Sequence, residues 1–151
     1  MKRVLKILGL PSVDIVGVGI ILSIIFMISV RTDILEVTLR LIPIIAFLIY
    51  LLPGGFVLSK IEDKKSKRTS ITISALLFII IGIIMAVLSY GNDTGVWASI
   101  IILPIPIFIS SSLFGYLSLV SQLFLVIAAP LPIIISAIGE LIFNKFKRKQ
   151  Y

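Results

Sequence analysis

Long apolar stretches that alternate with clusters of basic residues are the feature that most constrains this chain. Twelve of the fourteen lysines and arginines lie in three clusters of three, five and four residues. The clusters are at the start of the chain (Lys2, Arg3, Lys6), in its middle (Lys60, Lys64, Lys65, Lys67, Arg68) and at its end (Lys145, Lys147, Arg148, Lys149). Basic clusters beside apolar spans mark the cytoplasmic side of a membrane protein. The pattern predicts a multi-pass protein of the cell membrane whose termini and loop 60–69 are cytoplasmic, with an even number of crossings.

The composition also favours a membrane protein over a soluble domain. Of the 151 residues, 59% are hydrophobic and 14% are charged, and the mean hydropathy is +1.22. A soluble domain of this size could not bury so many apolar side chains and still cover its surface with polar groups. The net charge of +7 borders the apolar stretches. We therefore expect the basic loops to meet anionic lipid headgroups, not nucleic acid.

The apolar stretches predict an all-α, polytopic membrane protein that forms a single integral membrane domain over residues 1–151. Four stretches are long enough to cross about 30 Å of hydrocarbon as helices. These predicted transmembrane helices cover residues 12–30, 34–52, 70–90 and 119–143. Pro11 is expected to interrupt the basic N-terminal segment, and Pro53-Gly54-Gly55 is expected to end the second helix.

The region between the third and fourth helices allows two arrangements. Pro104 and Pro106 predict a break in the helix over 96–114, and Pro130 and Pro132 predict another break further on. Segment 96–114 either enters the outer leaflet and returns, giving four crossings, or crosses the membrane, giving five. We favour four crossings plus a re-entrant segment, because a fifth would place the basic C-terminal cluster outside. A re-entrant segment should pack against the other helices, since irregular backbone at membrane depth must be shielded.

Few charged residues in these stretches could carry chemistry. Arg40 and Glu36 are four residues apart, which puts both side chains on one helix face. An intramembrane charge is a functional candidate, but the shallow position favours an Arg40 that reaches the headgroups and pairs with Glu36. Asp14 could bind a cation or a proton, although an acidic residue in a first helical turn more commonly complements the helix dipole.

Small and hydroxylated residues provide two further sets of candidates. The serines that follow the first proline pair could line a polar cavity, or donate hydrogen bonds to carbonyls that the prolines leave free; they are Ser110, Ser111 and Ser112. Gly19 with Ser23, and Gly82 with Ala86, form small faces that permit close helix approach. Such faces serve either packing within the protein or an oligomer interface.

The residue inventory argues against catalysis. Cysteine and histidine are both missing from the sequence, which removes the commonest proton shuttle, thiol chemistry and the usual metal ligands. No two carboxylates have a spacing typical of an acid/base site, so we expect neither an enzyme nor a cofactor. The sequence favours a small protein that contacts a membrane-protein partner, or a second copy, as an accessory, assembly or immunity-type component. The alternative is a small oligomeric pore or carrier lined by a proline-broken helix.

Overall fold

The described part of the chain is almost entirely helical and contains no strand. A computed structural model describes residues 2–32, 34–89, 98, 100–107, 109 and 119–149. Four helical segments within these residues are long and apolar enough to cross a membrane. We name them span 1 (Ile7–Arg31), span 2 (Leu35–Ser59), span 3 (Lys64–Leu88) and span 4 (Leu119–Phe146). The predicted all-α membrane protein with four transmembrane helices is confirmed.

Three of the four spans are built from more than one helical element. Span 1 comprises the end of α1 (Lys2–Pro11), a π-helical turn (Ser12–Gly17) and α2 (Val18–Arg31). Span 2 contains α3 (Leu35–Ile49), a second π-helical turn (Tyr50–Gly54) and α4 (Gly55–Ser59). Span 3 lies within α5 (Lys64–Ser89), and span 4 combines α6 (Leu119–Ala128) with most of α7 (Leu131–Lys149).

The helices of spans 1 and 2 continue where the sequence predicted that they would stop. The helix that starts at Lys2 passes through Pro11, and the second passes through Pro53-Gly54-Gly55, so both expectations are wrong. A π-helical turn follows Pro11 and another contains Pro53. The wider turn changes the local hydrogen-bond register, which accommodates a proline that has no backbone donor.

The two later proline pairs do mark interruptions, and each stands at the start of a new helical stretch. The chain bends at Leu103 before the helical residues 104–107, and it turns at Ala129 and Pro130 before α7. The amide of Ile107 donates a helical hydrogen bond to the carbonyl of Leu103, with an N···O distance of 3.0 Å. The predicted break is confirmed at Leu103, and residues 104–107 beyond it are helical, because proline is well accommodated in a first helical turn.

The residues around the first proline pair belong to the main core. Leu103, Ile105 and Ile107 are buried there together with side chains from all four spans, including Leu22, Tyr50, Phe78 and Leu125. This packing is what a shielded segment at membrane depth requires. Residues 110–118, with Ser110, Ser111 and Ser112, lie outside the described residues.

The outward faces of the spans are apolar over most of their length. Ile24, Ile80, Val87 and Ile127 are between 52% and 74% exposed. Exposure of large apolar side chains is unfavourable in water but favourable in the hydrocarbon of a bilayer. The surface therefore supports the bilayer as the solvent for these helices.

The starts of spans 1 and 3 and the end of span 4 lie at the same end of the bundle. The Ser70 hydroxyl donates to the carbonyl of Ile7, with an O···O distance of 2.7 Å. The Lys67 ammonium forms an ion pair with the Glu140 carboxylate. These two contacts bring together the regions that carry the three basic clusters.

Candidate functional site: a buried polar cluster between three spans

Asp14 is the acidic side chain placed deepest in the described bundle. It lies in the π-helical turn of span 1, and none of its surface is exposed. The helix begins at Lys2, so Asp14 is far from the first turn and the expected role in complementing the helix dipole is wrong. An ionisable residue inside a membrane span is a functional candidate by default, because burying it is costly.

Ser136 of span 4 is the hydrogen-bond partner that the described residues provide for Asp14. The Ser136 Oγ lies 3.4 Å from Asp14 Oδ1, 3.3 Å from Asp14 Oδ2 and 3.0 Å from the carbonyl oxygen of Tyr50. A hydroxyl carries one proton, and the shortest of the three contacts is with the Tyr50 carbonyl. Both distances to the carboxyl exceed the 2.5–2.7 Å typical of a hydroxyl that donates to a carboxylate. Among the described residues, the bonding capacity of the two carboxyl oxygens is therefore largely unused.

Tyr50 of span 2 contributes a second underused polar group. The side chain is fully buried, and its ring packs edge-on against Phe78 of span 3 with 6.4 Å between centroids. Its hydroxyl has no hydrogen-bond partner among the described residues. Ser74, one helical turn before Phe78, is likewise buried without a partner in the described part of the chain. Buried polar groups without partners are rare in native proteins.

Glycines allow the spans around Asp14 to approach closely. A Cβ atom on Gly54 would lie 2.8 Å from Asp14 Oδ1 and would also meet Ser136. One on Gly55 would lie 2.6 Å from the carbonyl carbon of Gly139. Spans 2 and 4 are thus in backbone contact beside the cluster, as small residues permit in membranes. We call Asp14, Ser136 and Tyr50, with Gly54 beside them, the Asp14 cluster.

The predicted pair at the other end of the bundle is present and exposed. Arg40 donates to Glu36 Oε1 with an N···O distance of 2.9 Å, and their side chains are 78% and 83% exposed. The prediction that Arg40 pairs with Glu36 is confirmed. Exposed pairs of this kind contribute little to stability.

The two small-residue faces have different surroundings. A Cβ on Gly82 would lie 2.8 Å from the Cβ of Ala129, so Gly82 serves packing between spans 3 and 4. Ala86, one turn later, lines a groove of about 670 Å³ between spans 3 and 4 on the surface of the bundle. A Cβ on Gly19 would meet nothing within 4 Å. The described residues therefore leave the space beside Gly19 open. Ser23, on the same face, is half-buried.

Two polar contacts between spans were not predicted. The Lys67–Glu140 pair is partly buried, with side chains 25% and 13% exposed, and the Asn144 amide also donates to Glu140. Ser136 was not recognised as a partner of Asp14. The four-residue spacing of Ser136 and Glu140 puts a hydroxyl and a carboxylate on one face of span 4, but it does not indicate which side chains of the other spans they meet.

The chemistry of the Asp14 cluster is that of a single carboxyl surrounded by neutral oxygens. Among the described residues, no three His, Cys, Asp or Glu side chains come together in a way suited to a metal ion. No protein-family model matches the chain, and no curated protein or solved structure is significantly similar to it. Evidence for the function therefore has to come from the residues and contacts of this chain.

Proposed function

We propose that the protein is a small, non-enzymatic component of the cell membrane that works through helix–helix contacts with a partner membrane protein. Accessory, assembly and immunity-type roles all fit this mode of action. The observation that carries the proposal is how little of the described chain lies outside helices: Thr32, Ile34, residues 60–63, Leu103, Ala129 and Pro130. Many large apolar side chains of the spans are exposed, so we expect a partner to be recognised mainly in the plane of the bilayer. Close packing and interhelical hydrogen bonds drive such association.

None of the described residues fills the space within 4 Å of a Cβ at Gly19, so we infer that a partner helix approaches there. Gly82, by contrast, is already used inside the bundle. The residues next to Gly19 on span 1 are apolar, and Ile20, Ile24 and Met27 are more than half exposed. A larger side chain at position 19 should therefore keep a partner away without disturbing the contacts of spans 1 to 4.

Photo-crosslinking in the native membrane tests this proposal. A benzophenone amino acid placed at Ile20 should yield a crosslink to one membrane protein, or to a second copy. Gly19→Leu should abolish that crosslink, whereas Val87→Leu, a change at an exposed position of span 3, should keep it. If Ile20 crosslinks to lipid alone and no membrane protein co-purifies in mild detergent, the proposal is wrong.

The orientation we propose places the basic end of the bundle in the cytoplasm. Support comes from the contacts that join the regions of all three basic clusters at one end, combined with the preference of Lys and Arg for the inner side. Anionic headgroups of the inner leaflet would then meet these clusters.

A second candidate function is a small oligomeric pore or carrier, and the Asp14 cluster favours it. Membrane carriers commonly place ionisable residues and interrupted helices at their binding sites. The backbone contact between Gly55 and Gly139 argues for a rigid pair of spans rather than a moving one. Purified protein in liposomes distinguishes the two: a cation leak above that of empty liposomes, lost in Asp14→Asn, supports the carrier.

A further inference from the structure

We propose that the Asp14 cluster binds one monovalent cation, a proton or Na⁺, inside the bundle. The shared chemistry of the two is a single positive charge that neutralises a buried carboxylate. Asp14 is fully buried and has no ion pair in the described part of the chain. A carboxylate at such a position is costly unless a positive charge or a set of donors compensates it.

Four oxygen atoms from three spans converge at Ser136, and oxygen is the ligand type that hard cations prefer. The two carboxyl oxygens of Asp14 and the carbonyl oxygen of Tyr50 all lie within 3.4 Å of Ser136 Oγ. These four oxygens come from spans 1, 2 and 4, so the site exists only in the assembled bundle. Oxygen ligands of this kind suit hard cations.

The charge balance selects a monovalent occupant. Asp14 supplies one negative charge, and no cluster of three metal-ligating side chains occurs among the described residues. A divalent ion would leave a net positive charge in a low-dielectric region, which is unfavourable. Glu140, one turn beyond Ser136, is already engaged by Lys67 and Asn144.

Among the charged and titratable groups of this region, we expect Asp14 to be the one that responds to pH or to Na⁺. The second π-helical turn contributes Tyr50, and α7 contributes Ser136 with the engaged Glu140. On span 1, Arg31 lies at the opposite end of α2. Lys67 of α5 reaches α7, where it pairs with Glu140.

The backbone is π-helical on two sides of the cluster. Asp14 and Tyr50 each lie in a π-helical turn, and the two turns contact each other. π-Helical turns within α-helices occur frequently at functional sites. Gly54 lets span 2 approach the carboxyl and the Ser136 hydroxyl, since any Cβ at this position would overlap them. This inference does not depend on the proposed partner contact, and the two can fail separately.

Labelling with dicyclohexylcarbodiimide tests the site in the purified full-length protein. The reagent adds to a protonated carboxyl in an apolar environment and forms a stable N-acylurea, which mass spectrometry locates. In choline chloride we expect one adduct at Asp14, lost completely in Asp14→Asn and retained in the matched control Glu36→Gln. Glu36 and Glu62, both exposed, should stay unlabelled.

Replacing choline chloride by NaCl at constant pH separates the two occupants. A several-fold slowing of the labelling of Asp14 by NaCl identifies Na⁺, and Ser136→Ala should then weaken this protection while labelling itself persists. Labelling that ignores NaCl and declines as the pH is raised identifies a proton. Failure to label Asp14, equal labelling of Glu36 and Glu62, or labelling of Asp14 that responds to neither Na⁺ nor pH would overturn the proposal.

Discussion

Replacing Gly55 by alanine should destabilise the bundle more than its single added methyl group suggests. The new Cβ would lie 2.6 Å from the carbonyl carbon of Gly139, 2.7 Å from its Cα and 2.8 Å from the amide nitrogen of Glu140. Ordinary contacts start at 3.4 Å, so the shortest of these is about 0.8 Å too close. All three atoms belong to the backbone of α7, and no side chain can rotate away. Spans 2 and 4 have to separate, and the contacts around the Asp14 cluster loosen with them.

Overpacking typically costs about 1–3 kcal/mol, and a clash with backbone belongs at the upper end. About 3 kcal/mol corresponds to a fall of roughly 6–12 °C in the melting temperature for a chain of this length. Thermal unfolding in detergent, followed by the far-ultraviolet circular dichroism of the helices, measures this change.

Gly19→Ala is the matched control for Gly55→Ala. Both substitutions add one methyl group to a helix, but a Cβ at position 19 meets nothing within 4 Å. Its melting temperature should be unchanged or slightly raised, since alanine favours a helix over glycine. Equal melting temperatures for Gly55→Ala and Gly19→Ala would refute the close contact between spans 2 and 4.

Two further predictions concern the ion pairs. Arg40→Gln should leave insertion and folding intact and cost about 1 kcal/mol or less, because the pair with Glu36 is exposed; a much larger loss in the unfolding assay would show that Arg40 has another role. Lys67→Met and Glu140→Gln should be non-additive, with a coupling energy of about 0.5–3 kcal/mol in a double-mutant cycle, since the pair is partly buried between spans 3 and 4; additive effects would mean that the two side chains do not interact.

The features that the sequence predicted are those set by local chemistry. The four transmembrane helices follow from the length of apolar stretches, and the pairing of Arg40 with Glu36 follows from their four-residue spacing. The interruptions next to Pro104 and Pro130 follow from the missing backbone donor of proline.

The features that it did not predict depend on how helices meet. Pro53-Gly54-Gly55 signals a helix end by local rules, yet the helix continues, and its glycines face Ser136 and Gly139 of another span. Asp14 appeared to begin a helix because Pro11 precedes it, whereas a π-helical turn carries the helix past Pro11. Its burial against Ser136, 122 residues away in sequence, depends on the rotation and depth of two separate helices. No local pattern encodes either quantity.

The accessibility of single cysteines tests the proposed orientation of the bundle, in which the three basic clusters face the cytoplasm. The sequence contains no cysteine, so Lys65→Cys, Gln150→Cys and Thr32→Cys each introduce one thiol for a membrane-impermeant maleimide. In intact cells the maleimide should label Thr32→Cys, whereas Lys65→Cys and Gln150→Cys should react only after the membrane is permeabilised. Labelling of Gln150→Cys in intact cells, with Lys65→Cys protected, would contradict this orientation and establish an odd number of crossings between these two positions.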